Sequence, residues 1–149
     1  RAGFWRMLEA LETRRLPATW LCCGRAVEQS PALLAAIRAA GHEAAVHGWR
    51  LRPHAAYRRR GAEAAEIDEA VWTWAQDVDD ALEVLLAEAA RGLPRLLNIG
   101  YHLRIAGRPG RFAAFSRVLD RLAGLGDRVW VAPRVDIAQA FAAAVPAGS

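Results

Sequence analysis

The chain has 149 residues, of which 54% are hydrophobic, and carries a formal net charge of +4 with a pI of about 10.0. This length fits one domain, and the hydrophobic fraction is too high for a disordered segment. No apolar run reaches the roughly 18 residues that a membrane-spanning helix needs. We therefore expect a globular chain with no membrane partner.

The basic charge alone does not indicate nucleic-acid binding. All 20 basic residues are arginines, and they are scattered apart from the triplet at 58–60. Nucleic-acid-binding domains concentrate basic residues on one face, whereas an arginine-only, alanine-rich chain indicates a compositional bias. A single triplet is more often a solvated turn. We predict no nucleic-acid partner.

The two cysteines, Cys22 and Cys23, are adjacent. Neighbouring side chains of an extended segment point to opposite faces, so the thiols are poor disulfide partners. Free thiols are typical of a reducing compartment, and no charged-then-apolar leader opens the chain. The expected location is therefore cytoplasmic. Because the chain opens on Arg1 rather than methionine, we also expect it to be a segment of a longer protein.

The first half of the chain predicts two helices and two strands. Apolar residues at helical spacing predict a helix over 4–16, which a proline ends. The apolar run 18–23 indicates a buried strand. A serine N-cap followed by proline begins a second helix over 30–41, and a short strand follows over 43–46.

The second half is mainly helical. Apolar residues recur at helical spacing over much of its length, broken by glycine and proline. Its predicted elements are a loop over 50–61, one long helix or two shorter ones over 62–90, a strand over 96–101, a helix over 109–125, a strand over 129–131 and a helix over 134–144.

Strands that alternate with helices imply parallel βαβ units. About four strands are visible, fewer than the roughly eight of a closed barrel. The sequence therefore predicts an α/β fold, either a partial (β/α) barrel of about four parallel strands with flanking helices or an open sheet. No internal repeat or linker divides the chain, so we expect one domain over 1–149.

Two segments, 41–50 and 98–111, each place a histidine where a predicted strand meets glycine and arginine. Their histidines, His47 and His102, follow the carboxyl ends of strands, where α/β folds place reactive groups. A neutral imidazole is well suited to proton transfer near neutral pH. The alternative is a histidine that only caps a strand. His42 stands at the start of its strand and is predicted to be structural.

Together with the opening segment 1–6, these segments resemble the polysaccharide deacetylase (NodB-homology) superfamily, in particular its allantoinase-like branch. The resemblance covers roughly two-thirds of the chain in two blocks. The second block, in which Gly-Arg-Pro-Gly-Arg over 107–111 follows His102, is the more specific. The resemblance implies a deacetylase-type barrel and hydrolysis of a non-peptide carbon–nitrogen bond.

Metal-dependent members of the superfamily hold a divalent ion with a His-x-x-x-His pair and an aspartate. His47 matches the first histidine, but Leu51 stands at the second and cannot coordinate a metal. His54, three residues further on, is a weak substitute, and the aspartate motif has no counterpart. One imidazole does not make a zinc site. The allantoinase-like branch shares this loss, so we predict no metal and no other cofactor.

The resemblance also implies residue roles. His102 matches the general acid that protonates the leaving nitrogen, and His47 is the second predicted catalytic residue. Arginine can grip a carboxylate or carbonyl with paired hydrogen bonds. The predicted substrate-binding residues are Glu43, Trp49, Arg50, Arg104 and Arg108. The alternatives are a surface or arginine-paired carboxylate for Glu43, a core position for Trp49, and salt bridges for Arg108 and Arg111.

The chain departs from the family in two places, since the N-terminal acidic motif and the middle of the barrel have no counterpart. Whether this chain is an active enzyme is therefore left open. Three functions remain: an impaired allantoinase-like hydrolase, a glycan N-deacetylase that uses a metal such as zinc, and a non-catalytic remnant or interaction module. The expected partner is a small-molecule or glycan substrate. Missing strands would also expose sheet edges and favour self-association.

Overall fold

A computed structural model describes residues 2–48 and 62–145, with the backbone alone over 62–69. The described part is mainly helical. In chain order the elements are α1 (Ala2–Thr13), β1 (Thr19–Cys22), α2 (Gly24–Gln29), α3 (Pro31–Ala39), β2 (Glu43–Val46), α4 (Ala62–Ala89), α5 (Leu103–Ala106), α6 (Pro109–Leu125), a 3-10 turn (Gly126–Arg128) and α7 (Arg134–Ala144).

The two strands pair in parallel, with Thr19 opposite Glu43 and Cys22 opposite Val46. Parallel strands need a crossover, which α2 and α3 provide. The ladder extends by one residue beyond β2, because the His47 N–H donates to the Cys22 carbonyl at 2.9 Å. The predicted βαβ unit is confirmed. Both cysteines are free thiols.

The predicted strands over 96–101 and 129–131 are wrong. Each lies in the described part of the chain without regular strand pairing. A strand needs a neighbour that completes its hydrogen-bond ladder, and neither segment has one there. Their apolar side chains still pack on the core, notably Leu97, Ile99 and Val129. The α/β class is confirmed, but the described residues hold two strands rather than about four.

The helix predictions are confirmed where the amphipathic pattern extends over many residues. The helices predicted over 109–125 and 134–144 are found with those bounds. The sequence predicted to be helical over 62–90 forms one helix, α4, which ends at Ala89. The first helix ends three residues earlier than predicted. The short helices α2 and α5 were not predicted. The predicted loop over 50–61 lies outside the described residues.

The core is built around α6. Phe115 and Val118 are fully buried; Phe115 packs with Met7 of α1, and Val118 packs with Leu82 of α4. Burial of a side chain such as Phe115 contributes about 1.5–3 kcal/mol. This packing ties both halves of the chain together. None of the described helices combines the length and the hydropathy that crossing a bilayer requires.

Candidate functional site

His102 is the N-cap residue of α5 and has extended backbone dihedrals, and the segment over 93–101 before it has no regular secondary structure. Its carbonyl accepts the N–H groups of Ile105 and Ala106, both at 2.9 Å. The side chain is exposed, and no other described residue holds its imidazole by a hydrogen bond or ion pair. His102 thus follows a segment that forms no regular strand, contrary to the prediction that it ends a strand, and the residue is exposed.

Tyr101 anchors the residue before it. The Tyr101 ring packs edge-on against Phe115 and Trp74, with centroids 4.5 and 6.2 Å away. The residue as a whole is 37% exposed, but burial of its ring against these two neighbours raises the pKa of the Tyr101 phenol to about 12. The backbone that carries His102 is therefore fixed to the core, although the imidazole itself faces solvent.

Arg104 lies in α5, two residues after His102, and Arg108 lies directly before α6, six residues after His102; both are exposed. The Arg108 carbonyl accepts the N–H groups of Arg111 and Phe112 at 3.1 and 2.8 Å, which begins α6. Arg111, in contrast, is 8% exposed. The two predicted substrate-binding arginines that follow His102 in the sequence are thus exposed, whereas Arg111 is buried.

His47 directly follows β2, at the carboxyl end of the two-stranded sheet, and is exposed. Its carbonyl lies 3.7 Å from the Cys23 thiol. The Gly24 N–H donates to the Gly48 carbonyl at 3.0 Å, so this loop is tied to the start of α2. Trp49 and Arg50, predicted to bind substrate, lie outside the described residues, as do Leu51 and His54.

The two predicted catalytic histidines are not joined directly. Within 2–48 and 62–145, no hydrogen bond, ion pair or ring contact links His47 to His102. The structure also leaves each of them without a carboxylate partner in the same ranges. The chain thus supplies two open imidazoles on separate loops.

Glu43 lies at the opposite end of β2 from His47. Its carboxylate accepts a hydrogen bond from the Thr19 hydroxyl at 2.6 Å and from the Val135 N–H at 3.4 Å. The Thr19 oxygen in turn accepts the Arg134 N–H at 2.9 Å. A carboxylate is stabilising at a helix N-terminus. These contacts favour a structural role for Glu43, as the cap of α7, over substrate binding. The sequence does not reveal this role, because only the pairing register of the two strands brings Thr19 beside Glu43.

His42 is buried, at 8% exposure, and neither ring nitrogen has a hydrogen-bond partner among the described residues. Burial lowers the pKa of its imidazole, and the Glu12 carboxylate partly opposes this. The residue lines an open cavity of about 440 Å³ together with Glu12 and Arg15. Its burial agrees with the structural role predicted for it.

The described side chains do not fit a divalent metal. Across these residues, no group of three histidine, cysteine or acidic side chains lies close enough together to hold one. A protein zinc site needs about three such ligands. The Cys22 thiol is further disfavoured as a ligand, because burial and the neighbouring Cys23 raise its pKa.

Comparison with known proteins places these features in a family. The family model described as polysaccharide deacetylase matches residues 1–86, more than half of the chain. A curated protein of Schizosaccharomyces pombe, "Putative polysaccharide deacetylase", is 42% identical over 67 residues, which covers 45% of this chain and 21% of that protein. The matched part of the chain thus covers about a fifth of the length of this relative.

Solved structures show the same fold. Puue allantoinase superposes with a TM-score of 0.79 at 23% identity, covering 99% of this chain and 74% of that one. A "probable Polysaccharide deacetylase" from Pseudomonas aeruginosa PAO1 gives the same TM-score and identity, covering 99% and 75%. The resemblance inferred from the sequence is confirmed: the chain belongs to the polysaccharide deacetylase family.

Proposed function

We propose that this chain carries the proton-donor part of an allantoinase-like hydrolase, which acts on non-peptide carbon–nitrogen bonds. The observation that supports this most directly is His102, an exposed imidazole whose backbone is fixed to the core through Tyr101. Family membership makes a carbon–nitrogen bond the natural target.

In the proposed reaction, water adds to a ureide carbonyl carbon and the carbon–nitrogen bond then breaks. The departing nitrogen must receive a proton before the bond breaks, and a positioned imidazolium can supply it. The water's oxygen and one of its protons stay with the carbon as a carboxyl group, and its other proton re-protonates the imidazole. Arg104 and Arg108 would hold the substrate carbonyl or carboxylate through charge-assisted hydrogen bonds.

The same geometry implies weak activity. A general base that deprotonates water is needed, and within the described ranges no carboxylate contacts His102 or His47. We assign His47 the task of holding water or substrate. We also propose that the reaction uses no resident metal, because Leu51 interrupts the His-x-x-x-His pattern.

The test is hydrolysis of a cyclic ureide, with allantoin as the probe. We expect slow ring opening by the chain and a fall of roughly 10²–10⁴-fold in kcat/KM for His102→Gln, the range typical of a lost general acid. Arg25→Gln, on the exposed face of α2, is the control and should match the unmodified chain. Ring opening that His102→Gln leaves unchanged would disprove the role of His102.

A second candidate is a metal-dependent glycan N-deacetylase, which the family and the name of the fission-yeast relative favour. Release of acetate from an N-acetylglucosamine oligomer only after addition of zinc or cobalt, and its loss with a chelator, would support this alternative. Ureide opening that a chelator does not affect would support the allantoinase-like proposal. Activity toward neither substrate would leave the non-catalytic interaction module.

A further inference from the structure

Two sequence segments that lie far apart in the chain meet in the structure. They are the start of α1, over 2–6, and the glycine that ends α5, Gly107. Arg6 and Gly107 are 101 positions apart, yet the Arg6 Nη1 donates to the Gly107 carbonyl at 2.5 Å. We propose that Gly3 and Arg6 are positioning residues for His102, acting through Gly107 and α5. The proposal rests on the proposed function only in giving His102 a reaction to serve.

The backbones of the two segments are in direct contact at Gly3. A Cβ atom on Gly3 would lie 2.8 Å from the Gly107 oxygen, and one on Gly107 would lie 3.0 Å from the Gly3 Cα. The first distance is shorter than real Cβ contacts and the second is unusually tight. A Cβ atom on Gly107 would also lie 2.6 Å from the Leu103 oxygen, so each position favours glycine. The contact brings the start of α1 against the end of α5.

Arg6 closes the same contact with a side chain. Besides its hydrogen bond to Gly107, its guanidinium lies over the Phe112 ring, 5.6 Å from the centroid. A guanidinium over an aromatic face is attracted by the ring. Arg6 therefore links the end of α5 to the first turns of α6, and lysine could replace only part of this geometry.

α5 cannot orient itself. It has only four residues, and a single helical turn is unstable alone because its nucleation is unfavourable. Its orientation must come from its neighbours. The Tyr101 ring fixes the chain before His102, and Gly107 fixes the chain after it. His102 lies between these two anchors, and its carbonyl accepts the first hydrogen bonds of α5.

The experiment compares Gly3→Ala with Gly110→Ala. An added Cβ at Gly110, in the first turn of α6, meets nothing within 4 Å, so Gly110→Ala is the matched control. Hydrogen exchange by NMR is followed at the Ile105 and Ala106 amides, which bond the His102 carbonyl, and at the core amide of Val118. We expect exchange at Ile105 and Ala106 to rise at least tenfold in Gly3→Ala, with Val118 and the control unchanged.

Arg6 supplies a second pair of variants in case Gly3→Ala does not fold. Arg6→Leu removes the donor to Gly107, whereas Arg6→Lys keeps one. We expect the same local rise in exchange for Arg6→Leu and a partial rescue by Arg6→Lys. In an active chain, kcat for ureide opening should fall by roughly 10- to 100-fold with KM little changed, as a small misplacement of a catalytic group causes.

Unchanged exchange at Ile105 and Ala106 in folded variants would overturn the proposal, and so would an equal rise throughout the molecule. The exchange measurement does not require turnover. If the unmodified chain opens no ureide, the proposed function fails. Hydrogen exchange at the Ile105 and Ala106 amides would still show whether Gly3 and Arg6 position His102.

Discussion

His42 combines burial with an imidazole whose two nitrogens lack partners in the described structure. Charging a buried group that has no hydrogen-bond partner is costly, so burial lowers its pKa although the Glu12 carboxylate partly opposes the shift. Trp20, whose ring centroid lies 6.3 Å away, also buries a ring nitrogen with no described partner. The junction of α1, α3 and β2 is therefore sensitive to protonation.

We predict that the chain loses stability as the pH falls below the ordinary histidine pKa of about 6.5. In that window the unfolded chain binds the proton and folded His42 does not, so the free energy of unfolding decreases as pH falls through the folded pKa. His42→Leu should reduce this loss and be near neutral at pH 7, since replacing unpaired polar atoms by apolar ones costs little. Urea unfolding at pH 7 and pH 5 measures both effects, and parallel losses in the two proteins would contradict the prediction.

Tyr101 offers a residue-scale test at alkaline pH. The chain has two tyrosines, so Tyr57→Phe leaves Tyr101 as the only phenol. Its pKa of about 12 in the folded chain exceeds the unfolded value of about 10. The contribution of neutral Tyr101 to the free energy of unfolding is therefore complete below pH 10 and is lost as the pH rises through 12. Phenolate absorbance should therefore appear near pH 12 or together with unfolding. A titration midpoint near pH 10 in the folded chain would contradict the packing of this ring.

At the scale of elements, α7 begins on groups supplied by both strands. The hydroxyl of Thr19 and the carboxylate of Glu43 accept the first two N–H groups of α7, which have no partner within the helix. The Arg134 guanidinium adds a bond to the Asn98 side chain at 3.2 Å. α7 is thus docked through its N-terminus.

Thr19→Val tests this cap by removing the hydroxyl while preserving the branched shape. We expect a loss of about 1 kcal/mol in stability, the usual cost of a lost helix cap, and faster hydrogen exchange at Arg134 and Val135. Thr73→Val, on the exposed face of α4, is the matched control and should change stability by less than about 0.5 kcal/mol. Equal effects of the two variants would show that the cap contributes nothing.

Sequence patterns predict helices in this chain better than strands. The helix over 109–125 begins at a proline and has a continuous apolar stripe, two local signals that fix its bounds. The segment over 96–101 has an equally clear apolar pattern, but it can form a strand only if a strand from elsewhere in the chain pairs with it. Its side chains enter the core without pairing. Local signals therefore determine the bounds of α6, whereas the secondary structure of 96–101 depends on its tertiary contacts.

The candidate site divides in the same way. The exposure of His47 follows from its position directly after β2. His102 is also exposed, although the strand-like sequence before it forms no strand. The role of Glu43 as a helix cap depends on the register of β1 and β2, and the contact of Gly3 with Gly107 depends on the crossing of α1 and α5. Neither contact has a local signature, because its partners are distant in sequence.

At the scale of the whole molecule, ion pairs join α6 to its neighbours. Arg14, directly after α1, pairs with Asp120 at 2.6 Å, and this hydrogen bond holds the pKa of the Asp120 carboxyl below its usual value. Arg121 contacts Asp79 and Glu83 of α4. Exposed pairs of this kind contribute only about 0–1 kcal/mol each, so the buried faces of α1, α4 and α6 carry most of the stability.

α7 is the exception to this packing, since none of its eleven residues is buried. Phe141 is 65% exposed and Val145, one turn further on, 55% exposed. Exposed apolar surface of this kind favours association, and aromatic residues often dominate the binding energy of interfaces. We therefore predict that the chain self-associates through α7.

Phe141→Glu is expected to weaken this association at least roughly tenfold in Kd, which corresponds to about 1.4 kcal/mol. Sedimentation velocity over a range of protein concentrations measures the change. Val84→Glu is the matched control, because Val84 is 58% exposed on α4 and carries the same substitution on another helix. Association that survives Phe141→Glu but not Val84→Glu would move the interface to α4, and a concentration-independent monomer would show that α7 remains exposed without a partner.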